Sequence, residues 1–185
     1  MGIRSDIKTI KLKDPAAGSS LSILLTYNGM HAVWAYRVSH VVWKLKLKII
    51  AKMISSFARV FTGVEIHPGA TIGKNLFIDH GQGVVIGETS VIGNNVLIYH
   101  QVTLGGTGNQ KEGRRHPSVC DNVMIAAGAK ILGSIHIGTN AKIGANAVVL
   151  KDVPPNATAV GMPARFIFNG DVTEEDCSLV KKERK

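Results

Sequence analysis

Only two cysteines, Cys120 and Cys177, occur in a chain of 185 residues. So few thiols build neither a disulfide framework nor a metal site, and Cys120, which falls inside a repeat, is expected to be a small buried residue. Long uncharged apolar runs are also missing. The most apolar stretch, Val41 to Val60, is broken by Lys44, Lys46, Lys48, Lys52 and Arg59, which argues against a membrane span. Met1 to Lys13 carries charge throughout, so no secretory leader is expected and a cytoplasmic protein is the default. Acidic residues are few, 13 against 22 basic ones, for a formal charge of +9. The excess sits in residues 1–60, with ten Lys/Arg against Asp6 and Asp14. No aromatic–basic interleaving accompanies it, so a solvated helix face is favoured over nucleic-acid binding.

What is present is a period. Thirteen aliphatic positions, most of them six apart, read Ile66, Ile72, Ile78, Ile86, Ile92, Ile98, Leu104, Val119, Ile125, Ile131, Ile137, Ile143 and Val149. Two places before them stand small or aliphatic residues such as Ala70, Val96, Val102, Ala129, Ala141 and Ala147. A helix needs a spacing near 3.6 and a half-buried strand needs alternation, and neither fits. A short fixed period marks a solenoid whose coils bury their apolar edges against one another. The pattern resembles the hexapeptide repeat of left-handed parallel β-helices, in which three hexapeptides form one triangular coil.

The period breaks twice. Ile78 to Ile86 is eight residues, with the surplus in Asp79-His80-Gly81-Gln82-Gly83, and Leu104 to Val119 is fifteen, spanning Gly105 to Ser118. Interruptions of a solenoid tend to lie on a binding face, where they leave the stacked core intact. Both carry histidine beside charge: Asp79-His80 in the first, Arg115-His116-Pro117 at the end of the second. An imidazole titrates near neutrality, so either histidine can serve as a general base. Glu65, fourteen residues before Asp79, can fall near His80 across a corner or between adjacent coils. The other histidines, His31, His40, His67, His100 and His136, read as surface or core residues.

Residues 1–62 read as a helical segment, 63–168 as the coil domain and 169–185 as a polar tail. Asp14-Pro15 predicts a helix start, with the helix running from Ala16 to Tyr27 and broken by Asn28-Gly29. A second helix is expected over His31 to Lys44. Ile50, Met53, Ile54, Phe57 and Phe61 mark an amphipathic third, capped by Gly63.

Several runs together resemble serine O-acetyltransferases. They are Gly63-Val64-Glu65-Ile66-His67-Pro68-Gly69-Ala70, Phe77-Ile78-Asp79-His80, Val84-Val85-Ile86-Gly87-Glu88-Thr89, Val102-Thr103-Leu104-Gly105-Gly106-Thr107-Gly108 and Arg115-His116-Pro117. The likeness continues through Gly128–Gly133 and Gly161–Arg165, and reaches back to Asp14-Pro15-Ala16-Ala17 and Leu25–Ala32. It implies a mainly β protein, a left-handed β-helix behind an N-terminal helical segment. The implied reaction moves acetyl from acetyl-CoA, a co-substrate, to the hydroxyl of L-serine, with no tightly bound cofactor and no metal. By the same resemblance His80 is the general base and Glu65 orients it. Asp14 and Asp79 hold the substrate ammonium, and Arg115 with His116 hold its carboxylate. Gly106, Ala127 and Ala145 line the groove for CoA between subunits. A homotrimer is implied, which in many relatives pairs into a dimer of trimers.

Three departures accompany the resemblance. The insertion before Arg115 is one residue longer than in familiar members, the helical part is shorter, and the chain ends in Lys185 rather than isoleucine. A terminal isoleucine is what docks such enzymes into cysteine synthase, so that complex is not expected through this end. A sugar or xenobiotic acetyltransferase is the alternative reading, opposed by the paired acidic and basic sets that suit a zwitterion. A γ-carbonic-anhydrase-type zinc site needs two histidines five apart, and no pair here has that spacing.

Overall fold

The computed structural model describes residues 2–108 and 113–168. The expected tail, with Cys177 and Lys185, lies outside the described residues. Among the described residues, fifteen short strands form a left-handed β-helix with three faces. The first face stacks β1 (Glu65–Ile66), β4 (Val85–Ile86), β7 (Thr103–Gly105), β10 (Lys130–Leu132) and β13 (Val148–Val149). The second stacks β2 (Thr71–Ile72), β5 (Val91–Ile92), β8 (Ser118–Val119) and β11 (His136–Ile137). The third stacks β3 (Phe77–Ile78), β6 (Leu97–Ile98), β9 (Met124–Ile125), β12 (Lys142–Ile143), β14 (Ala157–Val160) and, antiparallel at its edge, β15 (Arg165–Phe168).

The register shows why the period works. Val85 pairs with Thr103 and Lys130 with Val148, so these coils are eighteen residues long. Glu65 pairs with Val85, a coil of twenty, and Thr103 with Lys130, a coil of twenty-seven. The surplus falls between β3 and β4 and between β7 and β8, and the ladder stays in step on either side. Ile86, Ile98, Leu104, Val119, Ile125, Ile131, Ile137 and Ile143 are fully buried along the axis, with Ala129, Ala141 and Ala147 filling the corners between them. Ile72, in the first coil, is only partly buried.

The corner between the second and third faces is an asparagine column. Asn75, Asn95, Asn122, Asn140 and Asn156 all adopt the left-handed conformation, with φ of 58–59°. Asparagine tolerates that region better than other side chains with a Cβ. Their amides join across coils, Asn75 Nδ2 donating to Asn95 Oδ1, Asn95 Nδ2 to Asn122 Oδ1 and Asn140 Nδ2 to Asn156 Oδ1.

The helical segment departs from expectation in its details. The described residues hold four helices: α1 (Ile3–Lys13), α2 (Ser20–Thr26), α3 (Asn28–Lys44) and α4 (Lys48–Thr62). Asp14 does not start a helix. It is the C-cap of α1, and its Oδ1 accepts the Ala16 N–H, a local turn that competes with helix. The N-cap of α2 is Ser19, whose hydroxyl accepts the Ser22 N–H. Asn28-Gly29 lies in the first turn of α3, so the break falls at Tyr27. Gly63 caps α4 as predicted, at φ 71° with its N–H bonded to Arg59 O.

A second small core of Ile10, Ile23, Met30 and Phe77 packs the helices onto the third face. Asp6 locks α1 to α3, accepting two hydrogen bonds from the Arg37 guanidinium and one from Trp34 Nε1. Burial alone would raise its carboxyl, but these donors and the Arg37 charge outweigh it and hold its pKa below the usual value. Gly29 lets α3 touch the coil: a Cβ there would stand 2.0 Å from Ile78 O. Among the described residues no helix is long and apolar enough to cross a membrane. Cys120 is fully buried inside its coil, as expected of a small residue there.

The asparagine column can be tested by comparing two substitutions. Asn95→Ala and Asn95→Gly lose the same amide contacts, but alanine must also hold a left-handed backbone, at a cost of about 1–2 kcal/mol. Chemical denaturation should therefore rank wild type above glycine and glycine above alanine. Equal stability of the two variants would show that the conformation is not what selects asparagine.

Candidate active site

A cleft of about 430 Å³ opens where the helices meet the corner between the third and first faces. Asp14 and Ala16 line it from the turn after α1, Thr26 to Gly29 from the α2–α3 junction, and Ile78, Asp79 and His80 from the coil. Asp14 is fixed at both oxygens, since Tyr27 O–H donates to Oδ2 at 2.6 Å while Ala16 N–H holds Oδ1. The bond to Asp14, then desolvation and the charges of Asp14 and Asp79, push the Tyr27 phenol up to about 12. The phenol thus stays protonated and the carboxylate stays an acceptor.

His80 is exposed and sits at φ 57°, a conformation uncommon for a residue with a side chain. That turn is what lifts its ring off the coil into the cleft's mouth. The His100 ring, one coil further on, meets it edge-to-face at 5.8 Å between centroids. Backbone bonds continue the same corner, Gly128 N–H to His100 O and Asn146 N–H to Ala127 O. Ala127 and Ala145 therefore follow His80 and His100 down one edge of the prism. An imidazole, two carboxylates and two alanines share this corner.

Arg115 and His116 lie elsewhere, at the corner between the first and second faces. Arg115 Nη2 pairs with Glu88 Oε2 at 2.9 Å. His116 Nδ1 faces Thr89 Oγ1 at 2.8 Å and also accepts the Thr89 N–H at 3.2 Å. Burial first, then Arg115, lower the His116 pKa. Gly106 is beside them, a Cβ there standing 3.2 Å from Arg115 O. Glu65 occupies neither corner. It projects from β1 on the first face and pairs with Arg59 at 2.9 Å, so within one chain its carboxylate is engaged by α4 and not by His80.

Of the residues read from sequence, the structure unites Asp14, Asp79 and His80, aligns Ala127 and Ala145 below them, and groups Arg115, His116 and Gly106 across the first face. Tyr27, Glu88, Thr89 and His100 were not singled out. Tyr27 and Thr89 act through hydrogen bonds to residues far along the chain, which no spacing rule exposes.

The bacterial transferase hexapeptide family (six repeats) matches residues 116–151. A serine acetyltransferase of Bacillus subtilis is 54% identical over 175 residues, covering 94% of this chain and 80% of the relative. The chain belongs to the serine acetyltransferase family. Solved members of that family share its shape. A soybean serine acetyltransferase complexed with serine is 50% identical with TM-score 0.86, covering 89% of this chain and 68% of that one. One from Brucella abortus in complex with coenzyme A is 43% identical with TM-score 0.88, covering 92% and 68%. The hexapeptide coils and the helices ahead of them are thus those of a serine acetyltransferase.

The Asp14–Tyr27 bond makes a prediction about titration. A raised phenol pKa means the bond's contribution is complete below about pH 10 and fades as pH climbs through about 12. Asp14→Asn should bring the Tyr27 transition down toward the ordinary value, leaving Tyr36, which burial also raises to about 12, in place. Ultraviolet titration of tyrosinate in both proteins reads this directly, with Tyr27→Phe identifying the transition. An unchanged Tyr27 step would contradict the bond.

Proposed function

We propose that this chain transfers acetyl from acetyl-CoA to the hydroxyl of L-serine, giving O-acetyl-L-serine and CoA. The observation that carries the reading is the convergence of Asp14 and Asp79 beside exposed His80 in one cleft. Two carboxylates suit an ammonium, and an adjacent imidazole suits the removal of a hydroxyl proton. His80 accepts the serine proton as the oxygen attacks the thioester carbon. The carbon–sulfur bond then breaks, and the CoA sulfur leaves with that proton. No enzyme nucleophile is needed.

Glu65 is assigned the orientation of His80. Gly83 N–H donates to Gly63 O, so the chain entering β1 lies on the His80 corner, and Glu65 must exchange its Arg59 partner to serve it. Arg115 and His116 take the serine carboxylate, and Gly106, Ala127 and Ala145 border the CoA arm. Because the two sets occupy different corners, a complete site requires two copies of the chain. A homotrimer, corner against corner, supplies it three times. The exposed apolar face of α4, with Ile49, Met53, Phe57, Val60 and Phe61 each more than half exposed, gives the copies something to bury. The reaction is assigned to the cytoplasm.

Thiol release from acetyl-CoA, followed with L-serine and with a panel of sugars, tests the reaction. L-serine should be the preferred acceptor, and faster turnover with a sugar would replace this reading by the sugar one. The shared site has its own test. His80→Ala should lose about 10²–10⁴-fold in turnover, the usual scale for a general base. Arg115→Ala should raise the serine KM well above any change in the acetyl-CoA KM. Dissociating and reassembling the two variants together should restore activity at about one quarter of the sites, those joining an intact His80 corner to an intact Arg115 corner. No recovery in mixtures shown by mass to be mixed trimers would place both halves within one subunit.

A further inference from the structure

Thr89 stands where several hydrogen bonds meet, and counting them fixes the state of His116. Its Oγ1 accepts the Arg115 N–H at 3.0 Å and the His116 N–H at 3.1 Å. A hydroxyl has two acceptor positions and one proton. Both acceptor positions are filled, so the contact from Oγ1 to His116 Nδ1 at 2.8 Å is the hydroxyl donating to nitrogen. The Thr89 N–H donates to the same nitrogen at 3.2 Å. With two donors aimed at it, Nδ1 carries no proton. The ring is a neutral imidazole with its proton on Nε2. Gly87 completes the seat: a Cβ there would stand 2.1 Å from His116 Cδ2 and 2.2 Å from Nε2, so only glycine lets the ring lie in place.

We propose that Thr89 is a positioning residue for the proposed reaction, locking His116 as a neutral Nε2–H donor and pinning the backbone of Arg115-His116 at the end of the interrupted coil. This rests on the reading that Arg115 and His116 receive the serine carboxylate. Arg115 then contributes charge and His116 a directed hydrogen bond. A protonated His116 would lose the Thr89 contacts and face Arg115 as a like charge. The charged and titratable groups around the ring are Arg115, Glu88 and His67. Burial and Arg115 favour the neutral ring, Glu88 opposes them, and His67 adds to the first pair.

Nitrogen-15 NMR of the free protein reads the tautomer without any substrate. The His116 signals, assigned by their loss in His116→Asn, should show a protonated Nε2 and a bare Nδ1 at neutral pH, with any titration falling below that of an ordinary histidine. In Thr89→Val the ring should become a tautomer mixture and titrate at higher pH. The serine KM should rise about tenfold or more, the usual effect of losing one oriented hydrogen bond to a charged group, while the acetyl-CoA KM stays within about twofold. Thr89→Ser keeps the hydroxyl and should restore both spectrum and KM. A protonated Nδ1 in wild type, or a serine variant no better than valine, would overturn the proposal. If Thr89→Val fails to fold, the wild-type spectrum and Thr89→Ser still decide it. A wild type that does not acetylate serine would count against the reaction and leave the tautomer result standing.

Discussion

The β-helix and the corners it presents depend on the parallel hydrogen bonds that tie each coil to the next. Backbone groups on the flat faces are taken by neighbouring coils, and the inward positions must be aliphatic to close the axis. Of the proposed site residues carried by the coils, all but Glu65 sit at corners. Corners also absorb extra chain without shifting the register, as the coils of twenty and twenty-seven residues show. The first surplus raises His80 on a left-handed turn, and the second delivers Arg115 and His116.

In the proposed assembly, separating those two corners would have an electrostatic use. Were Asp14 and Asp79 beside Arg115 in the same chain, they would pair with one another and leave little field for a zwitterion. Instead each pole has its own restraint. Tyr27 and a backbone N–H hold Asp14, while Glu88 and Thr89 hold the Arg115-His116 pair. The opposed charges meet only through a second copy of the chain in the proposed assembly.

The fold was legible because Ile86, Ile92 and Ile98 repeat a constraint that each coil imposes afresh. The breaks at Asp79–Gly83 and Gly105–Ser118 were legible for the same reason, since a departure stands out against a regular ladder. The helices were read less well. Asp14-Pro15 carries the signature of a helix start, yet tertiary packing uses Asp14 to end α1 and to meet Tyr27. Glu65 sits at a spacing compatible with His80, but spacing says nothing about Arg59 on a helix that folds back over β1. Thr89 was visible only as part of a motif, because its role lies in the number of bonds that one oxygen can make.

The asparagine column bears on how such a chain can change length. Each eighteen-residue coil brings its own corner residue, inward aliphatics and backbone partners, and needs from its neighbours only a matching edge. A whole coil is then an interchangeable unit, whereas one residue gained or lost within a face would throw every later side chain to the opposite side. Growth or shrinkage of this prism is quantised in coils, and free variation is confined to the two corners where the ladder already yields.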